Sequence, residues 1–132
     1  MRILALDDEF VALTKLTALL SKYGKYDAAA NSSQALDLFD DAIFNFQPNN
    51  LITIDIELPG INGVDTQKKV REWEKRNNIQ LEKGVKVMMM SAAEVSASTF
   101  PNLNEGCEEF IPKPFNGHSI AGVLNRFGLI SD

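Results

Sequence analysis

The sequence has one cysteine, one tryptophan and one histidine in 132 residues. A lone cysteine forms no internal disulfide, and no Cys/His cluster has zinc-ligand spacing, so a reduced compartment fits and a structural zinc is excluded. Positive charge is scarce as well: Lys plus Arg is 13 against 18 Asp plus Glu, a net charge of −5. Binding to nucleic-acid phosphates rests on basic patches, so direct nucleic-acid binding is not expected. Long apolar runs are also missing. The charge-free stretch 42–54 contains Gln47, Pro48, Asn49 and Asn50, too short and too polar for a membrane span, and the opening MRILALDDE lacks a signal-peptide core. A cytoplasmic protein with no membrane contact is expected. The composition, 45% hydrophobic and 23% charged, is that of an ordinary globular chain, and residues 1–132 are expected to form a single domain.

What is present is an alternation of short apolar runs and helical patterns. Residues 2–6 (RILAL) read as a buried strand that ends in Asp7, Asp8 and Glu9. Val11, Leu13, Leu16, Leu19 and Leu20 have helical spacing, with Gly24 placed to stop a helix after Tyr23. A strand over about 25–30 precedes Asn31, Ser32 and Ser33, good N-caps for a helix carrying Leu36, Leu38, Phe39, Ile43 and Phe46 and closed by Pro48. Residues 51–54 (LITI) form a third strand, and Asp55 follows it as Asp7 follows the first. Gly63 to about Asn77 reads as a helix with Val64, Val70 and Trp73 on one side and charges on the other. Residues 78–84 read as a loop or a frayed helix end, 85–90 as a strand ending in Ser91, and 94–105 as a weak helix interrupted by Pro101. A fifth strand at about 108–111, ending before Pro112-Lys113-Pro114, and a helix over about 117–127 complete the pattern.

Strands alternating with helices imply an α/β fold with a parallel sheet covered on both faces. The expected architecture is flavodoxin-like, (βα)5, with strand order 2-1-3-4-5. Ligands of such folds sit beyond the carboxyl ends of the strands. There Asp7, Asp8, Asp55, Ser91 and Lys113 gather. Carboxylates sharing a cleft repel one another unless a cation or proton is bound, and a hard divalent metal such as magnesium prefers oxygen ligands. A lysine ammonium and a serine hydroxyl suit phosphoryl oxygens, and Asp55 is placed to act as a nucleophile that forms an acyl phosphate.

Taken together, these residues resemble the receiver domain of bacterial two-component response regulators. The matching elements are Asp7-Asp8-Glu9, Asp55-Ile-Glu-Leu-Pro-Gly-Ile-Asn-Gly, Ser91-Ala92, and Gly106-Cys-Glu-Glu-Phe-Ile-Pro-Lys113-Pro-Phe, in order and at strand ends. With no output domain in view, the chain is similar to stand-alone chemotaxis regulators. The resemblance implies that Asp55 accepts phosphate from a sensor histidine kinase or phosphotransfer protein and that Asp8 and Asp55 ligate Mg2+. It assigns a further metal ligand to the Glu57 backbone carbonyl and a water-mediated one to Asp7. It makes Ser91 and Lys113 phosphoryl-binding residues, Ser91 and Phe110 the switch pair, and the Lys113-Pro114 bond cis. The product is a signalling domain with self-catalysed phosphotransfer and autodephosphorylation, a monomer or weak dimer that acts on a downstream target protein.

The rivals draw on the same residues. A haloacid-dehalogenase-like phosphohydrolase also uses an aspartyl phosphate, and Asp55-Ile56-Glu57 has its Asp-x-acid spacing. In that family, however, the nucleophile strand opens the domain and the last acidic motif lies downstream, whereas here the acidic pair lies upstream. A phosphorylation-independent interaction module is the other alternative. A flavin site is disfavoured because no Ser/Thr/Gly-rich phosphate loop follows the first strand. Singly, each residue has a plainer reading: the acids as helix caps, Ser91 as a strand-end cap, Phe110, Cys107 and the Met88-Met89-Met90 run as core packing, and His118 as decoration of the last helix.

Overall fold

The computed structural model describes residues 1–56, 63–80, 83–92, 109–113 and 115–131, without the side chains of Ala92 and Phe110. Its elements are β1 (Arg2–Leu6), α1 (Phe10–Leu20), β2 (Lys25–Ala29), α2 (Ser32–Phe44), β3 (Leu51–Asp55), α3 (Gly63–Arg76), β4 (Lys86–Ala92), β5 (Glu109–Lys113) and α4 (Gly117–Arg126). All strand pairs are parallel, and the sheet order is β2-β1-β3-β4-β5, as expected. The helix expected over 94–105, Ala93 and Cys107 lie outside the described residues.

Side chains alternate across a strand, so each strand feeds two cores. Ile3, Ala5, Leu51, Met88, Met90 and Ile111 pack with Leu16 and Leu20 of α1 and with Ile120, Val123 and Leu124 of α4. Leu4, Leu6, Ile52, Ile54, Val87 and Met89 pack on the other face with Phe39 of α2 and Val70 of α3. The methionine run is therefore core on both sides of the sheet. Because β1, β3 and β4 are covered on both faces, their sequences read as continuous apolar runs rather than alternating ones.

Element ends differ from the sequence expectation in ways that have local causes. Helix α1 stops at Leu20, and Val11, expected on its apolar side, is 73% exposed beside an equally open Phe10. Gly24 does not cap α1: a Cβ there would collide with the Met1 carbonyl, so the glycine permits close passage beside the chain start. Helix α2 is capped at its start by Asn31, whose side chain accepts from the Gln34 backbone N–H at 2.8 Å. It ends at Phe44, before Pro48 is reached, as Phe46 turns into the left-handed region at φ 60°. Strand β4 runs through Ser91 to Ala92, and β5 contains Pro112 and Lys113 instead of ending ahead of them. Strand β5 lies at the sheet edge, the place where a strand tolerates proline. Asn116 caps α4 in a reciprocal pair with Ser119, and His118 is exposed on that helix.

Candidate functional site

Register brings the polar residues together. Leu6 pairs with Ile54, so one further step along each strand sets Asp7 beside Asp55, and the Asp7 backbone N–H continues the ladder to the Ala29 carbonyl at 3.1 Å. Asp55 pairs with Met90, the residue before Ser91, and Ala92 pairs with Lys113. Strand alternation sends Asp7, Asp55 and Lys113 to the same face of the sheet, above the core shared by α1 and α4.

The Lys113 Nζ donates to Asp7 Oδ2 at 2.7 Å and reaches Asp55 Oδ2 at 3.4 Å. Asp7 is held from its other oxygen as well, since Oδ1 accepts the Glu9 backbone N–H at 2.9 Å. Asp7 and Asp55 are buried, at 1% and 5% exposure, whereas Asp8 is open to solvent. Burial by itself lowers the Lys113 pKa, but the hydrogen bond to Asp7 and the charges of Asp55 and Asp7 outweigh it, so the ammonium titrates above its ordinary value. It therefore stays charged throughout the neutral range.

Carboxylate oxygens of Asp7, Asp8 and Asp55 lie within 4.8 Å of one another. At that spacing two like charges repel by about 3 kcal/mol in a partly screened site. Three ionised carboxylates less one ammonium leave two negative charges, the charge one divalent cation cancels. An all-oxygen donor set with one member in contact with water suits a hard ion that keeps part of its hydration shell, so these residues fit magnesium.

Glycine at position 63, the last residue of the run that begins at Asp55 and the start of a helix by its pattern, has a packing role at the site. Its N–H donates to the Ile56 carbonyl at 3.1 Å, and a Cβ there would collide with the Asp55 carbonyl oxygen and come 2.8 Å from Ile54 Cγ2. Only a glycine lets α3 begin directly against the end of β3 and fix Asp55 from behind. Gly63→Ala is expected to lower stability by about 1–3 kcal/mol, the usual cost of overpacking, and urea unfolding measures it. An unchanged midpoint would show that the contact yields without strain.

Ser91 lies inside β4 and is 1% exposed. Phe110 lies in β5 paired with Met89, and its side chain, like Glu57 and the Lys113-Pro114 bond, falls outside the described residues. The structure therefore joins Asp7, Asp8, Asp55 and Lys113 directly and sets Ser91 one residue beyond the partner of Asp55.

Comparison with known proteins follows the same lines. Residues 3–125 match the model of the response regulator receiver domain. The transcriptional regulatory protein CpxR of Escherichia coli is 30% identical over 124 residues, which cover 93% of this chain and 47% of CpxR. The chain thus spans about half the length of that relative. The chemotaxis protein CheY of Thermotoga maritima is 25% identical over 127 residues, 95% of each chain. Among solved structures, the co-crystal structure of the Saccharomyces cerevisiae histidine phosphotransfer signalling protein Ypd1 with the receiver domain of its downstream response regulator Ssk1 superposes with TM-score 0.80 at 23% identity, covering 97% of this chain and 88% of that one. A response regulator receiver domain protein of Clostridium thermocellum gives TM-score 0.77 at 19% identity over 96% of this chain and 92% of that one.

Proposed function

Because the chain belongs to the response regulator receiver domain family, we propose that Asp55 accepts a phosphoryl group from a sensor histidine kinase or phosphotransfer protein, with Mg2+ bound, and so switches a surface for a downstream target. The observation that carries this reading is the Lys113 ammonium bridging Asp7 and Asp55 at the open end of the sheet, a fixed cation beside a carboxylate nucleophile. In the transfer an Asp55 carboxylate oxygen bonds to phosphorus as the P–N bond of the donor phosphohistidine breaks. The imidazole nitrogen keeps the electron pair and takes up a proton. Lys113 then donates to a phosphoryl oxygen, and the Ser91 hydroxyl to another.

Asp8 and Asp55 would hold the magnesium directly, Asp7 through water and Glu57 through its backbone carbonyl. When bound, the ion neutralises charge on the phosphoryl oxygens and relieves repulsion among the aspartates. Ser91 is buried, so its hydroxyl meets a phosphoryl oxygen only if the end of β4 moves. Phe110 on the adjoining strand β5 would take up that movement and carry it to the surface. A phosphotransfer donor is supported by the Ssk1 likeness, since that receiver was crystallised with such a protein. In this reading the chain is a self-phosphorylating signalling domain of the cytoplasm, monomeric or weakly dimeric. No described helix is long and apolar enough to cross a membrane.

Acetyl phosphate with magnesium is expected to add one phosphate to the protein, and EDTA to prevent it. No incorporation, measured by intact mass at neutral pH, would leave the phosphorylation-independent interaction module as the better account. Magnesium alone is expected to stabilise the fold by about 1.4 kcal/mol at ten times Kd, roughly 5 °C in Tm. Thermal melts with and without EDTA measure this, and an equal shift in Asp8→Ala would remove the metal from the acidic cluster.

A further inference from the structure

At the end of the sheet away from Asp55, a half-open cavity of about 530 Å³ lies between α2, α3 and the starts of β3 and β4. That volume is in the range of small-molecule sites, roughly 300–1,000 Å³. Its walls are apolar and partly aromatic: Phe39 and Trp73 meet edge to face at 5.8 Å and 90°, with Ile43, Ile79 and Val85 around them. The charged side chains among its described lining residues are two lysines and one glutamate. Lys83 and Lys86 line it, and neither ammonium has an ion pair or hydrogen bond among the described residues. The one carboxylate among the described wall residues, Glu74, is already spent, with Oε1 accepting from Arg71 at 2.7 Å and Oε2 from the Val85 N–H at 2.8 Å.

A second feature is independent of the cavity's shape. Asn49 lines it, is 6% exposed, and neither its amide nitrogen nor its amide oxygen has a hydrogen-bond partner. Buried amides are ordinarily satisfied; both of these amide atoms are covered, so a bound molecule pairs with them only if the cavity wall shifts. An anion meets the two ammoniums, and a flat ring meets the edge-to-face aromatic pair.

We propose that this cavity is a binding site for a small free aromatic carboxylate of one or two rings, its ring against Phe39 and Trp73 and its carboxylate toward Lys83 and Lys86. The site is separate from the acidic cleft and does not depend on phosphorylation. Trp73, the only tryptophan, is part of the wall, so its fluorescence reports occupancy.

Titration of the full chain with 1-naphthoate is expected to change Trp73 emission saturably at submillimolar concentration. Neutral 1-naphthalenemethanol, and 1-naphthoate added to the Lys83→Glu/Lys86→Glu double variant, are expected to bind at least tenfold more weakly. Lys83→Gln, a milder change at an exposed position, is expected to lie between. Amide NMR shifts at Ile79 and Val85 should follow the same isotherm. No saturable change up to several millimolar would overturn the proposal, and so would equal binding of the neutral analogue, which would reduce the site to an apolar surface. Tight binding of N-acetyl-Asp-Phe-Asp amide with naphthoate inert would overturn it in favour of a protein partner.

Discussion

Asp55→Asn is expected to abolish phosphoryl incorporation completely, one phosphate per chain falling to none. The three clustered aspartates are not equivalent in their surroundings. Both oxygens of Asp7 are engaged, Oδ2 by Lys113 at 2.7 Å and Oδ1 by the Glu9 N–H at 2.9 Å, and its side chain is fully buried. Asp8 is open to water and, among the described residues, is not part of the Lys113 bridge. Asp55 meets the ammonium at the looser distance of 3.4 Å and has a carboxylate oxygen within 4.8 Å of the other two carboxylates. Asparagine keeps its shape and removes the anionic oxygen that must form the bond, so the loss is chemical rather than a failure to fold. Intact mass after acetyl phosphate and magnesium decides it, with circular dichroism as the check on folding. Phosphate retained on Asp55→Asn, and mapped to Asp7 or Asp8, would transfer the nucleophile's role to that residue.

The second large effect lies far from this chemistry. Glu74→Ala is expected to cost about 3 kcal/mol of stability, a substantial part of what a domain of this size has. The Glu74 side chain is 7% exposed and its carboxylate ties two elements together, Arg71 within α3 and the Val85 N–H at the entrance to β4. Removing it leaves a buried amide without its acceptor and weakens the hold on a guanidinium whose side chain is 13% exposed. Glu74→Gln keeps an acceptor for Val85 and should lose less, about 1–2 kcal/mol. Gly84 supplies an internal control, because a Cβ there would collide with the Glu74 carboxylate. Gly84→Ala should therefore destabilise the wild type but cost much less in the Glu74→Ala background, a coupling that a double-mutant cycle in urea reads directly. Strict additivity, or a midpoint unchanged in Glu74→Ala, would show that the carboxylate does not join α3 to β4.

Much of this was legible in the sequence, because apolar periodicity and strand-end residues are local signals. The buried strands read as unbroken runs since helices cover both sheet faces, and alternation of strands and helices with right-handed crossovers implies a parallel sheet, which has the expected order β2-β1-β3-β4-β5. Asp7, Asp8, Asp55, Ser91 and Lys113 could be named because each follows or closes an apolar run at the same end of a parallel sheet. The extent of β5 was misjudged because Pro112 reads as a strand breaker, and only the finished sheet shows that this strand lies at an edge where proline is tolerated.

What tertiary structure alone decided are the contacts between residues that no period relates. Glu74 sits among charges on a helix that reads as solvated on that side, yet the Val85 N–H arriving from 11 positions downstream makes it a buried acceptor. Gly63 and Gly24 look like helix punctuation, whereas each is required by backbone passing within touching distance. Asn49 gives no signal in the sequence, and only the packed structure buries its amide without a hydrogen-bond partner. Sequence specifies which residues are apolar and where the chain turns; which polar group is deprived of water depends on what the rest of the chain lays over it, and that is settled only when the elements pack.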